Sequence, residues 1–143
     1  MNHDDFVHQI MRHEGYRGHV YKDTEGVLTA GWGHAFTEGS SIPVAVAIKL
    51  LWHDLKSVET DYLSLGLQLE DGDTVREYVI KNMLFNLGLY KLRGFKNMLA
   101  AVRSGNYDLA ADEMENSRWA RQVKGRAGEL AKMMRTGIYQ GET

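Results

Sequence analysis

No cysteine occurs in the 143 residues, which excludes disulfides and thiol nucleophiles, permits folding in a reducing or an oxidising compartment, and leaves stability to packing. A single proline, Pro43, predicts few hard breaks and long helices. No apolar run approaches the ~18 residues of a membrane-spanning helix, and MNHDDFVHQI has neither the basic start nor the apolar stretch of a secretory leader. The product is therefore expected to begin in the cytosol and to need other help for export. Positive charge is not in excess either: 17 Lys and Arg against 19 Asp and Glu give a net charge of -2, with no general pull toward nucleic acid.

What is present suits one globular unit, or two small lobes sharing a core element, since 43% of the residues are hydrophobic and 25% charged. The charge is unevenly spread. Residues 59–77 carry six acids against Arg76, and residues 118–135 carry six bases against Glu129. One end can face an anionic partner, or both stretches are simply wetted helix faces.

Phe6, Val7, Ile10 and Met11 recur at helical spacing, with Asp4 or Asp5 near the N-terminal dipole, which predicts a first helix over 4–13. His19–Tyr21 and Val27–Trp32 are β-prone pieces around the turn signal KDTEG, so a small antiparallel sheet is expected, running out through GWGH into a flexible loop. Ser40 or Ser41 can cap the helix that begins at Pro43 and carries the stripe Val46, Leu50, Leu51, Leu55, Val58 and Tyr62. Asp73 or Thr74 starts another helix ending before Gly88, and shorter helices follow at 95–102, 109–114 and from 123 or 125 to about 135. The expected fold is α+β and mostly helical: an N-terminal sheet lobe (14–42), a connecting helix (43–63) and a helical C-terminal lobe (64–143), with residues 1–13 packing between the lobes.

Two carboxylates flank the glycine-rich aromatic stretch EGYRGHVYKDTEGVLTAGWGH: Glu14 at the end of the first helix and Asp23 in the turn. Cleaving an acetal such as a glycosidic bond requires a proton donor at the leaving oxygen and a second carboxylate that attacks or activates water. The two acids have the right types, although surface ion pairing uses the same residues. Thr29 can hold a water beside Asp23 or serve only as a β-forming residue, and His34 can brace Glu14 or make a structural hydrogen bond. GWGH can bring backbone close to a sugar ring or be a tight strand exit. Trp119 can stack on a sugar or peptide, or anchor helix packing. The six histidines form no compact metal-ligand pattern, no phosphate or dinucleotide loop is present, and the basic C-terminal helices lack a dense lysine and arginine stripe, so neither metal catalysis nor nucleic-acid binding is expected.

Read together, HEGYRGHVYKDTEGVLTAGWGH, KNMLFNLG, GF at 94–95, NSRWARQVKGRA and RTGIY resemble the T-even bacteriophage lysozyme family of phage endolysins, in order and along nearly the whole chain. The resemblance implies a muramidase cutting the β-1,4 bond between N-acetylmuramic acid and N-acetylglucosamine in peptidoglycan, without a cofactor or metal. It implies Glu14 as general acid, Asp23 as second carboxylate, Thr29 as the hydroxyl positioning water, and His34 as support for the glutamate. Gly33, Phe85 and Asn86 fall at matched cleft positions, and Ser117, Arg118 and Arg126 in matched C-terminal segments. An inverting reaction is favoured, with a covalent retaining route as the mechanistic alternative. A general acid must keep its proton near working pH, which predicts a partly buried Glu14.

Further expectations attach to the resemblance: a monomer, held in the host cytoplasm until a membrane-lesion-forming protein opens the way to the wall, with no stable membrane insertion of its own and no separate wall-binding or tail-spike segment. The cationic C-terminal patch can meet carboxylates of the peptidoglycan peptides. Two departures stand out: the stretch between His34 and the long helix is shorter than in the T-even protein, and the charge is mildly acidic rather than basic. The rival reading is a catalytically silent peptidoglycan-binding or virion structural module.

Overall fold

The computed structural model describes residues 1–140, which form two compact units, Met1–Ala47 and a second beginning at Ile48. The architecture is α+β and mostly helical, with one small antiparallel sheet.

The first unit opens with helix α1 (His3–Glu14). Its cap is Asn2, with Asp4 and Asp5 in the first turn as the sequence predicts: the Asn2 side chain accepts from the Asp5 N–H at 2.9 Å, and the Asp5 carboxylate accepts from the Asn2 N–H at 3.0 Å. No residue of α1 is buried. The sheet follows as β1 (Arg17–Lys22), β2 (Leu28–Gly31) and β3 (His34–Phe36), in that order and antiparallel throughout. β3 replaces the flexible loop expected after GWGH. The turn glycines Gly31 (φ 67°) and Gly33 (φ 80°) reverse the chain so that His34 faces Ala30 and Phe36 faces Leu28. Between β1 and β2 the register slips: Arg17 faces Gly31 and Tyr21 faces Thr29, so residues 18–20 form a bulge opposite Ala30.

Ser40 is not a helix cap. Its hydroxyl accepts from the Thr37 N–H at 2.8 Å and closes its own turn. Helix α2 (Val44–Ser64) instead begins directly after Pro43, whose carbonyl accepts from the Val46 and Ala47 N–H groups, each at 3.0 Å. Of its expected apolar stripe, only Val58 and Tyr62 are buried. Val46, Leu50, Leu51 and Leu55 are exposed, because the helix enters the apolar core only over its C-terminal turns.

The second unit continues with α3 (Thr74–Leu87), α4 (Leu89–Arg93), α5 (Lys96–Arg103), α6 (Tyr107–Glu115), α7 (Arg118–Gln122) and α8 (Lys124–Thr136). Asp73 caps α3 through the Arg76 N–H, and Gly88 (φ 82°) ends it, as the sequence predicts. α4 and α7 were not expected: at five residues each they are too short to show a helical period. The core is rich in methionine, with Met83, Met98, Met114 and Met134 almost fully buried alongside Ile80 and Leu92. Arg76 fastens the end of α8: Nε donates to the Met134 carbonyl at 2.6 Å, Nη2 to that of Arg135 at 3.1 Å, and Nη1 pairs with Asp73 at 2.9 Å over the Tyr107 ring. Among the described residues no helix is long and apolar enough to cross a membrane.

Candidate active site

Asp23 stands at the turn closing β1 and β2. Its Oδ1 accepts from the Glu25 and Val27 N–H groups, both at 2.8 Å, while its own N–H donates to the Val27 carbonyl at 2.9 Å. Gly26 (φ 82°) takes the left-handed position that this turn requires. The carboxylate is thus fixed through one oxygen, in a half-buried position, and among the described residues Oδ2 receives no hydrogen bond from the chain.

Thr29, the second residue of β2, is the only buried residue of the first unit, at 5% exposure. A hydroxyl in that position must be satisfied, and Oγ1 donates to the Val27 carbonyl at 2.9 Å. Val27 therefore links the two side chains through its peptide groups: its N–H holds Asp23 and its carbonyl holds Thr29. With its proton committed, the Thr29 oxygen faces other partners as an acceptor.

Glu14 ends α1, where Gly15 (φ 70°) turns the chain and donates its N–H to the Met11 carbonyl at 2.9 Å. Its carboxylate lies against the backbone of Gly33: a Cβ there would stand 2.7 Å from Oε2 and 2.9 Å from Cδ. Gly33 is therefore a glycine for two reasons, its φ of 80° and the space that Glu14 occupies. Glu14 is exposed, contrary to the expected partial burial, because the helix that carries it buries none of its side chains. His34 is exposed too. It meets Phe36 edge-on, ring centroids 4.8 Å apart, and among the described residues it forms no ion pair with Glu14.

The structure thus brings Asp23 and Thr29 together through Val27, and Glu14 together with Gly33. The remaining candidates belong to the second unit, where they fall into separate places. Ser117 caps α7, accepting from the Ala120 N–H at 3.1 Å and donating to the Met114 carbonyl at 2.6 Å. Asn86 accepts from the Trp119 indole N–H at 2.7 Å, and Trp119 is buried edge-on against Phe95, so of its two readings packing prevails. Ser117, exposed Arg118 and Trp119 line an open cavity of about 870 Å³ with Lys91, Lys96 and Glu113. Phe85 and Arg126 line another of about 420 Å³, with Leu55, Tyr78 and Lys81. Arg126 donates from Nε to Asn82 Oδ1 at 2.8 Å. Arg135 of the basic stretch is taken up by Asp108, Asp112 and Glu115.

Three groups of the second unit titrate away from their ordinary values, among them Arg135, whose guanidinium is raised by its hydrogen bonds to Asp112 and Glu115. Burial, aided by the nearby Glu77 charge, pushes the Tyr62 hydroxyl up. Burial alone would lower Lys81, but the hydrogen bonds that it donates to Glu59 and Glu77 outweigh burial and raise the ammonium. Among the described residues no cluster of three or more His, Asp or Glu side chains could hold a metal ion.

A small antiparallel sheet lobe followed by a helical unit matches a lysozyme-like architecture. The phage lysozyme family pattern matches residues 11–135, and the chain belongs to that family. The pre-baseplate central spike protein Gp5 of Enterobacteria phage T4 is 28% identical over 90% of this chain and 27% of its own length. Probable T4-type lysozyme 1 of Dictyostelium discoideum is 28% identical over 87% of this chain and 89% of its own. Peptidoglycan hydrolase gp36 of Pseudomonas phage phiKMV is 28% identical over 88% of this chain and 14% of its own. The chain thus spans only about a quarter of the spike protein and about a seventh of gp36, but most of the Dictyostelium protein. Family membership supports a lysozyme-like hydrolase function.

Proposed function

We infer that the protein is an endolysin-type muramidase, hydrolysing the β-1,4 bond between N-acetylmuramic acid and N-acetylglucosamine with inversion. Glu14 protonates the glycosidic oxygen. Asp23 Oδ2 takes a proton from a water that attacks the anomeric carbon from the opposite face. That water donates its second hydrogen to Thr29 Oγ1, so its lone pair is free to form the new bond while the leaving sugar departs as an alcohol. The observation that carries this reading is the Val27 bridge: one peptide unit after another fixes Asp23 through Oδ1 alone and turns the Thr29 oxygen into an acceptor.

Glu14 is exposed, so in this reading its proton is held after the glycan strand covers it and displaces water. His34 supports the glutamate and Gly33 lies beside it, while Phe85, Asn86, Ser117, Arg118 and Arg126 contact the strand or its peptides. The monomer waits in the host cytoplasm and reaches the wall through a lesion made by another protein. A second reading is a catalytically silent peptidoglycan-binding or virion structural module, of which similarity to the spike protein favours the virion part alone.

Digestion of purified peptidoglycan by wild type, Glu14→Gln and Asp23→Asn separates them. Wild type is expected to release new reducing ends, with a sharp fall in both variants, and the first anomer formed reports inversion. Release by Glu14→Gln at the wild-type rate removes the acid role; binding without any release by wild type selects the silent module.

A further inference from the structure

Beside the contact of Glu14 with Gly33 the first unit displays two aromatic rings that belong to no core. Tyr16 is 66% exposed and Trp32 47% exposed, yet their ring centroids are 5.0 Å apart with planes tilted by 49°. Tyr16 rests on the backbone of Gly18, where a Cβ would stand 3.3 Å from the phenol oxygen and 3.6 Å from Cε1. Gly18 lies in the β1 bulge, so the widened strand and the missing side chain together seat the ring. Both aromatics are tied to the proposed acid. Tyr16 follows Gly15, which ends the helix carrying Glu14; Trp32 precedes Gly33, on which the Glu14 carboxylate lies.

We propose that Tyr16 and Trp32 form a stacking ledge for one pyranose ring of the glycan strand, next to the bond that Glu14 protonates. This rests on the muramidase reading and adds to it a binding site on the sheet lobe. A β-linked N-acetylhexosamine in its chair form gathers axial C–H bonds on one face, slightly positive, and keeps its hydroxyl and amide groups at the rim. The π face of an aromatic ring is slightly negative and apolar, so it matches that face, while the Tyr hydroxyl and the indole N–H meet the polar rim. A purely apolar partner would leave those polar edges unmatched, whereas a sugar uses both. Bracing by Gly18 and by mutual ring contact also means that little side-chain freedom is lost on binding.

The test uses the full chain and soluble glycan strands released from peptidoglycan. Binding is followed by calorimetric titration, with tryptophan fluorescence as a second readout, in the non-cleaving Glu14→Gln variant, alone and combined with Trp32→Ala, Trp32→Phe or Tyr16→Ala. Hydrolysis is followed separately with Glu14 intact. Trp32→Ala is expected to raise Kd roughly tenfold and to remove the ligand-induced fluorescence change, with Trp32→Phe within about threefold of its parent. In hydrolysis the loss falls on KM more than on kcat. Because both side chains are exposed, the thermal melt should hardly move. A Trp32→Ala protein that keeps Kd and KM within about twofold, while wild type hydrolyses normally, overturns the ledge and leaves the muramidase reading standing. Strand binding that depends on Trp32, in a wild type that releases no reducing ends, upholds the ledge and overturns the muramidase reading instead.

Discussion

Substituting Gly33 by alanine separates backbone strain from displacement of the proposed acid. The added Cβ would stand 2.7 Å from Glu14 Oε2, 2.9 Å from Cδ and 3.2 Å from Cγ, where ordinary contact begins at 3.4 Å. Glu14 is exposed, so its side chain can retreat by about 0.7 Å or more at little cost in stability. The left-handed φ of 80° adds about 1–2 kcal/mol of strain, equivalent to a melting temperature lower by roughly 3–6 °C. A donor displaced by nearly 1 Å from the leaving oxygen is expected to lose rate on the order of 10- to 100-fold. Gly39→Ala is the control, with a comparable φ of 86° but nothing within 4 Å of its Cβ. Thermal melts and initial rates of reducing-end release on peptidoglycan should show similar destabilisation in both variants and a rate loss in Gly33→Ala alone. Equal rates in the two variants would refute the argument that Gly33 sets the position of the Glu14 carboxylate.

Asp23→Asn keeps an Oδ1 acceptor for the Glu25 and Val27 N–H groups, so its melt should stay near wild type while hydrolysis collapses; Asp23→Ala should also lose about 1–2 kcal/mol by chemical denaturation. Arg76→Met removes the donors at the end of α8 and leaves Asp73 unpaired, with an expected loss of about 3 kcal/mol and a melt lower by roughly 10 °C. An unchanged melt would show that the staple is dispensable. Tyr62 and Lys81 both titrate above their ordinary values of 10.0 and 10.5, so the unfolded chain loses these protons first as pH rises. Their contribution is intact below about pH 10 and fades above it; Tyr62→Phe should flatten the alkaline fall in stability measured by denaturant titration.

The elements that could be read from the sequence are those that carry their own local signal. Asp73, Gly88 and the apolar positions between them delimit α3 because cap, period and stop agree. KDTEG announced its turn for the same reason, and with it the place of Asp23. β3 was hidden because three residues cannot show an alternation, and its existence depends on the glycine-rich reversal before it. The apolar stripe of α2 showed amphipathicity but not where burial begins, which is decided by the partners around Val58 and Tyr62. At the site, residue types were legible and bonds were not. Nothing in the letters VLT indicates that the Val27 peptide groups hold both Asp23 and Thr29, nor does GWGH reveal that Trp32 meets Tyr16 across the chain reversal.

Thr29 being the only buried residue of the first unit has a consequence for how that unit opens. A lobe without a buried apolar side chain relies on turn and ladder hydrogen bonds, each worth about 1 kcal/mol net. Its amides should therefore exchange with deuterium well before those of α6 and α8, which enclose Ala110, Met114, Leu130 and Met134. Within the lobe the Val27 amide, bonded to Asp23, should be among the slower ones. Ligand that binds only the closed turn would slow these protons further, making exchange at Val27 a direct reporter of occupancy.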